Sequence, residues 1–501
     1  MITFFQHRYA FWGFLAVTMA LSVALRLGPT TPDVSWLITV CEGMLSGKTA
    51  YIDLFETTPP VPTLLYMPGV IASHVLPIRA EMAVYGFTYL SYFLALYITF
   101  QLLPKNLTGI GPSRWVIIAP ASFFLLVLSH DAFAQREVFA AAFALPLVAV
   151  FIRHSQEDNW GSSRLRLMAL ILGGLSIAIK PPLFAAPGAL LALYYIYETR
   201  SLRFIYSSGL AMAGAIGVLA TIISLIVFPE YLGDMTTLMR DVYVPVREPL
   251  GVALKPVFAG AFGAVVASLI IFFSGTQNKP TIYLMIIAGS YMVIFFMQGK
   301  FFGYHAAPAA FYGILSFSVI TVQKCRALIP SAHKNIITFV IYGGIACWLM
   351  GQTFTGLDDK NPAMKDLTWA SALDRPTTMA ISPFIGVGHP LARQIDAIWI
   401  DRIHSQWAAH YARLRLINDD LGAEETAHIQ GYYDRELMRV RTLIEAQKPE
   451  IIIQYVAPNA TWLNDAMIES APNLLDDYTI IANEGVFRIW HRTAAPIAGS
   501  N

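Results

Sequence analysis

The chain has 501 residues, 56% of them hydrophobic and 13% charged, with a formal net charge of +1 at pH 7. Soluble domains carry about 25% charged residues, so this composition excludes an ordinary soluble enzyme and points to a chain that meets lipid. The near-zero net charge supplies no basic field, and no stretch reads as a nucleic-acid module, so nucleic acid is not an expected partner.

The first apolar segment, Tyr9 to Leu27, lacks a small-residue cleavage site and is followed by many others, so it reads as a retained anchor. Runs of bilayer-crossing length, or nearly so, lie at 9–28, 83–103, 115–129, 137–152, 166–179, 182–198, 204–228, 252–273, 281–297, 303–322 and 335–352. The run at 61–77 is interrupted by Pro62, Pro68, Gly69 and Pro77 and reads as a helix lying on or dipping into the membrane. With the N-terminus inside, the connections holding Arg8, Lys105, Arg114, Arg153, Arg164, Arg166, Arg200, Arg203, Lys279, Lys324, Arg326 and Lys334 all fall on the cytoplasmic side. The three cysteines, Cys41, Cys325 and Cys347, then sit at different depths and sides, so no disulfide is expected.

After about residue 352 the character changes to that of a soluble domain. TMAIS at 378–382 and EIIIQYV at 450–456 read as buried strands, and the stretch around Asn483-Glu484-Gly485 as a hairpin. Helices are expected over 401–418 and 424–446, with a polar linker at 355–376. The predicted fold is an α-helical polytopic membrane protein of about eleven transmembrane helices, with a membrane-associated helix near 61–77 and a C-terminal extracytoplasmic α/β domain. Residues 1–352 form the membrane part, with a first outer loop at 29–60, and 353–501 the soluble part.

In that orientation the outer connections gather mixed-sign charge: Asp33, Glu42, Asp53 and Glu56; His130, Asp131, Arg136 and Glu137; Lys180; Arg240, Asp241, Arg247 and Glu248; then Lys300, Tyr304 and His305. Charges at the ends of spans are costly unless paired or facing water, so their accumulation marks a functional cavity. Each has a plainer reading. Asp33 after Pro32 could cap a helix starting at Val34, Glu56 could be a solvated loop acid, residues 130–137 a salt-bridged rim, and Lys180-Pro181-Pro182 a tight connection. Lys300 and His305, five apart at one boundary, fit a phosphate or sugar better than lipid. Asp33, Asp131, Glu137, His130 and His305 could supply ligands to a divalent cation, although no pair has zinc-type spacing. Trp36, Tyr51 and Tyr304 could stack on a sugar ring, while Trp399, Arg402 and Trp407 read as one helical stripe turned toward the membrane part.

A first span, an outer loop with the early acid Asp33, then Gly47-x-x-x-Tyr51-x-Asp53 and Glu56 ahead of Pro59-Pro60, resembles the GT-C superfamily of integral-membrane glycosyltransferases over roughly residues 1–350. The lipid A aminoarabinose transferases and protein O-mannosyltransferases are the members of that superfamily it resembles. The resemblance implies a polyprenyl-phosphate sugar donor, a surrounding membrane lipid phase, and a glycan, lipid or protein acceptor outside the bacterial inner membrane. It places the early acid Asp33 at or next to the catalytic base and a second acid at Asp131 or Glu137; the residues themselves offer Glu56 as an alternative base and Arg136, Glu137, Lys180, Lys300, Tyr304 and His305 for substrate binding, with no cofactor assigned. The rival is a polytopic transporter or lipid flippase, which favours midplane charges and matched broken helices.

Overall fold

The computed structural model describes residues 8–26, 28–107, 111–112, 114–157, 159–255, 278–328 and 364–493, with scattered positions between 258 and 273. Among them, five helices are long and apolar enough to cross a membrane: Ala80–Leu102, Arg136–Glu157, Leu210–Val227, Lys279–Gln298 and Gly303–Lys324. Shorter apolar helices cover Trp12–Ala24 and Arg114–Leu128. The chain is a multi-pass membrane protein. The run expected at 335–352 lies outside the described residues, and that at 252–273 is described only at 252–255 and at scattered positions beyond.

The described residues form two compact units, the first taking in residues up to Gly28, Pro59–Val227 and Glu248 onward to Leu328. Proline sets several of its boundaries. The 61–77 run is two short helices, Pro60–Leu64 and Met67–Val75, each with proline in its first two positions, where the missing N–H costs nothing. Pro120 lies inside Arg114–Phe123, and the chain passes from there into a π-helical turn at Phe124–Leu128 and a 3-10 turn at His130–Ala132. Sequence periodicity predicts one continuous span at 115–129; the proline and the turn that follows it replace its last third.

Small residues let the helices approach. A Cβ on Gly174 would lie 2.7 Å from the Ala213 carbonyl, and one on Gly217 2.8 Å from the Gly174 carbonyl, so Ser163–Ile179 and Leu210–Val227 meet backbone to backbone. Hydroxyls then tie Arg136–Glu157 to its neighbours: Ser176 donates to the Ala140 carbonyl at 2.9 Å and Tyr312 to the Ala141 carbonyl at 2.9 Å.

The second unit joins Pro29–Thr58 and Phe228–Arg247 to the described residues from Met364 on. It thus gathers two segments that chain order assigns to the membrane part. Its sheet has the strand order Ile398–Trp399, Thr377–Ile381, Ile451–Tyr455, Phe487–Arg492, Tyr478–Glu484. The first three strands are parallel, and the last two form the expected antiparallel hairpin, turned at Gly485 with φ +58°. Helices Trp407–Asn418, Ala423–Gln447 and Thr461–Ser470 complete the unit.

The helix Pro32–Leu45 inserts Trp36 and Val40 into the sheet's core beside Leu391, Trp399, Ile451 and Phe487. Arg393 clamps the same helix by a bidentate contact to Glu42, at 2.6 and 2.9 Å. Met235, Leu238 and Val242 enter a second cluster with Phe55, Ile403 and Trp407. Asp241 fastens this segment: its carbonyl accepts from Arg415 at 2.7 Å and its carboxylate from Tyr432 at 3.0 Å.

Three local expectations change. Residues 401–406 are not helical, since the helix begins at Trp407. Trp399, Arg402 and Trp407 therefore share no stripe: Trp399 is in a strand, Arg402 lies over the Phe55 ring at 4.9 Å, and Trp407 opens the helix. The helix after Thr31 starts at Pro32, which puts Asp33 inside the first turn rather than at the cap. There its charge still complements the positive helix end.

Candidate active site

The residues singled out in the sequence fall into two groups, one in each unit. In the first unit four helix ends converge. Glu137 is the second residue of Arg136–Glu157, and Lys180 follows Ser163–Ile179. Gln298 closes Lys279–Gln298, which Gly299 ends in the left-handed region at φ +63°, and His305 lies in the first turn of the helix from Gly303. Gly299 is required there, because a side chain would resist the backbone conformation that stops the helix and sends Lys300 back toward the junction. An acid at a helix start and a lysine at a helix end each sit at the favourable pole of the local dipole.

Glu137 is fully buried, and Lys180 Nζ lies 3.0 Å from its Oε1. Lys180 also donates to Gln298 Oε1 and lies 3.4 Å from His305 Nε2. Arg136 Nε is 3.5 Å from Glu137 Oε1, and His305 Nε2 is 3.7 Å from the same oxygen. The Arg136 guanidinium stands over the Tyr304 ring at 5.9 Å, and the Tyr304 and His305 rings meet edge to face at 4.6 Å. Lys300 is 5% exposed and, with Lys180 and Arg136, lies within electrostatic reach of His305. Glu137 Oε2 and His305 Nδ1 are buried with no hydrogen-bond partner among the described residues, an unusual state for polar atoms at such a junction.

The structure thus brings together Arg136, Glu137, Lys180, Lys300, Tyr304 and His305. Asp131 belongs to the same unit but is exposed, its carboxylate 2.6 Å from the ring of His130. Gln298 and Arg26 were missed. A glutamine ending an apolar run gives no sign of what it faces. The arginine inside the otherwise apolar Tyr9-to-Leu27 segment was a legible signal, since intramembrane charge is rarely idle.

In the second unit, Asp33 is half-buried. Glu56 is 4% exposed and held on both oxygens: Oε2 accepts from Trp36 Nε1, Oε1 from the Thr58 N–H at 2.6 Å and the Thr57 hydroxyl at 3.3 Å. It braces the loop before Pro59-Pro60 rather than standing in solvent. Trp36, a candidate for sugar stacking, is 1% exposed and lies between the rings of His389 at 5.3 Å and His404 at 5.5 Å. Tyr51 is likewise buried, donating to the Thr58 carbonyl at 2.9 Å. Of the three rings proposed for stacking, only Tyr304 keeps partial exposure.

Burial sets the ionisation in this unit. It pushes the Cys41 thiol up to about 12, which leaves it inert, and the His404 imidazole down to about 4. Hydrogen bonding from Arg240, with His428 and Tyr432, holds Asp241 down at about 2. Among the described residues no three of His, Cys, Asp or Glu are grouped as metal ligands.

Apolar helices of membrane-crossing length, a first loop folded onto a C-terminal α/β unit, and charge gathered at helix ends make up this fold and its site. No family model and no curated protein matches the chain by sequence. Among solved structures it is similar to ArnT, a lipid A aminoarabinose transferase, from Cupriavidus metallidurans. Against the crystal structure of that protein bound to undecaprenyl phosphate, the TM-score is 0.58 at 13% identity, covering 98% of this chain and 99% of the other. Against its apo state the TM-score is 0.55 at 12% identity, covering 98% and 100%. At such identity the correspondence is one of fold.

Proposed function

We propose that the protein is a membrane glycosyltransferase that moves a sugar from a polyprenyl-phosphate donor to a hydroxyl acceptor outside the inner membrane, with inversion. The observation that carries this reading is the end-to-end fold correspondence with an enzyme whose crystal structure holds undecaprenyl phosphate. The charge of the buried junction supports it: Lys180, Arg136 and Lys300 outnumber the single carboxylate of Glu137.

In this reading Asp33 takes the proton of the acceptor hydroxyl, the hydroxyl oxygen attacks the anomeric carbon, and the sugar–phosphate bond breaks with its electron pair leaving on the polyprenyl phosphate. The leaving group is already a phosphate anion, so the site needs cations rather than a strong general acid. Arg136 and Lys300 hold the phosphate, Arg136 by a two-pronged grip. Lys180 pairs with Glu137 and holds it in place, and Tyr304 offers a ring face to the sugar. Asp131 is the second acid of the membrane unit, and Glu56, which accepts from Trp36 Nε1, ties its own loop to the helix that carries Asp33.

Titration of the purified protein in lipid nanodiscs with undecaprenyl phosphate tests the reading. Arg136→Gln and Lys300→Gln should each weaken binding by about 1.5–3 kcal/mol, the worth of one charge-assisted contact. Unaltered affinity in both variants, or no binding by the parent protein, would move or remove the phosphate site.

A further inference from the structure

We infer that Arg26 is a positioning residue for the Glu137 junction, a role that rests on the function proposed above. It clamps the irregular turn between Phe124 and Gln135, which delivers Arg136 and Glu137. Its Nη1 donates to the Leu126 carbonyl at 2.5 Å, to Ser22 Oγ at 2.5 Å and to the Ser22 carbonyl at 3.2 Å. Its Nη2 reaches Ser129 Oγ at 3.4 Å, and the guanidinium lies 4.0 Å over the Phe133 ring.

These contacts land on the part of the turn where the α-helical pattern gives way to π and 3-10 geometry. Leu126 belongs to the π-helical turn and Ser129 joins it to the 3-10 turn. Phe133 is followed by Ala134 at φ +61°, a left-handed conformation costly for a residue with a side chain. Tyr66 supports the same point by donating to the Ala134 carbonyl at 2.7 Å. Gln135 follows, and Arg136 begins the helix that carries Glu137. One guanidinium thus spans helix, π-turn and ring, so the turn's end, and with it Arg136 and Glu137, is fixed in register.

The contacts described for Arg26 are to two carbonyls, two hydroxyls and one aromatic ring, all of them neutral. A cation held by neutral groups is costly to keep there, and the planar fork justifies it: only arginine offers several donors in fixed directions. Lysine would keep the charge and lose the span.

Arg26→Lys tests this with two readouts on the full-length protein in nanodiscs. Hydrogen exchange should speed up at 129–137 while the Lys279–Gln298 helix is unchanged. The dissociation constant for undecaprenyl phosphate should rise about tenfold, as expected when a binding group is misplaced by a fraction of an ångström to an ångström. If Arg26→Lys does not fold, Phe133→Leu removes the ring beneath the guanidinium and should give the same two changes. Unchanged exchange at 129–137 overturns the clamp. Faster exchange with parental affinity overturns its link to the site, since a merely structural arginine would lower melting temperature without moving affinity. Absence of undecaprenyl phosphate binding in the parent protein would sink the proposed function instead, and the exchange readout would then decide the clamp alone.

Discussion

Replacing Lys180 by Met isolates the energetics of the buried junction. Lys180 Nζ and Glu137 Oε1 are 3.0 Å apart, with Glu137 fully buried. At an effective dielectric of about 20 their attraction is about 5 kcal/mol, against which stands the desolvation of both groups. Removing one partner strands the other, and such losses run about 3–5 kcal/mol. Arg136 Nε remains 3.5 Å from the same oxygen and takes up part of the load, which puts the expected loss near 3 kcal/mol at the low end of that range. Thermal unfolding of the detergent-solubilised protein should show a midpoint lowered by roughly 5–10 °C. The double variant Lys180→Met/Glu137→Gln should recover most of it, because a neutral amide is far cheaper to bury than a lone carboxylate. A single variant as stable as the parent, or a double variant no better than the single, would refute the argument that Lys180 is there to neutralise Glu137.

Trp36→Phe keeps the ring in the core but takes the indole N–H from Glu56, and should cost about 1–3 kcal/mol in a denaturation midpoint; a loss no larger than a few tenths would deny Glu56 its bracing role. Gly217→Val forces a side chain onto the Gly174 carbonyl and should abolish the folded fraction in size-exclusion chromatography, whereas Gly86→Val, with nothing within 4 Å, should not. His404, held at about 4 by burial, binds its proton in the unfolded chain near the ordinary value of about 6.5. Its depressed value therefore removes stability as pH falls from about 6.5 to about 4 and no further below that. Melting temperatures should drop across that window, and His404→Gln should flatten the slope; an equal slope in the variant would show that other groups carry it.

The sequence was most legible where one periodic signal decides. The strands around Met379 and Ile453 and the hairpin at Gly485 fall where alternation and turn chemistry put them, and the helix Lys279–Gln298 follows its apolar run closely. Legibility failed where tertiary contacts override local pattern. Trp36 and Tyr51 read as ring platforms in a polar loop, yet that loop folds onto a sheet encoded more than 300 residues later: the Trp36 ring is consumed by its core, and the Tyr51 ring is buried against Phe228 and Tyr231. Glu56 reads in the sequence as a catalytic acid or a solvated loop acid, because nothing in its neighbourhood announces Trp36 as a donor. Arg136, Glu137, Lys180, Lys300 and His305 were legible as charges out of place, but their ordering was not: Lys180, the hub of the junction, is marked in the sequence only by the two prolines after it.

The central claim, transfer from a polyprenyl-phosphate sugar rather than movement of one, is tested by incubating the purified protein with undecaprenyl-phosphate sugar and an acceptor-bearing envelope fraction, and following the donor by mass spectrometry. The account predicts protein-dependent release of free undecaprenyl phosphate, abolished by Asp33→Asn while undecaprenyl phosphate binding stays near that of the parent. An intact donor that instead changes leaflet in sealed vesicles would contradict it and identify a lipid transporter.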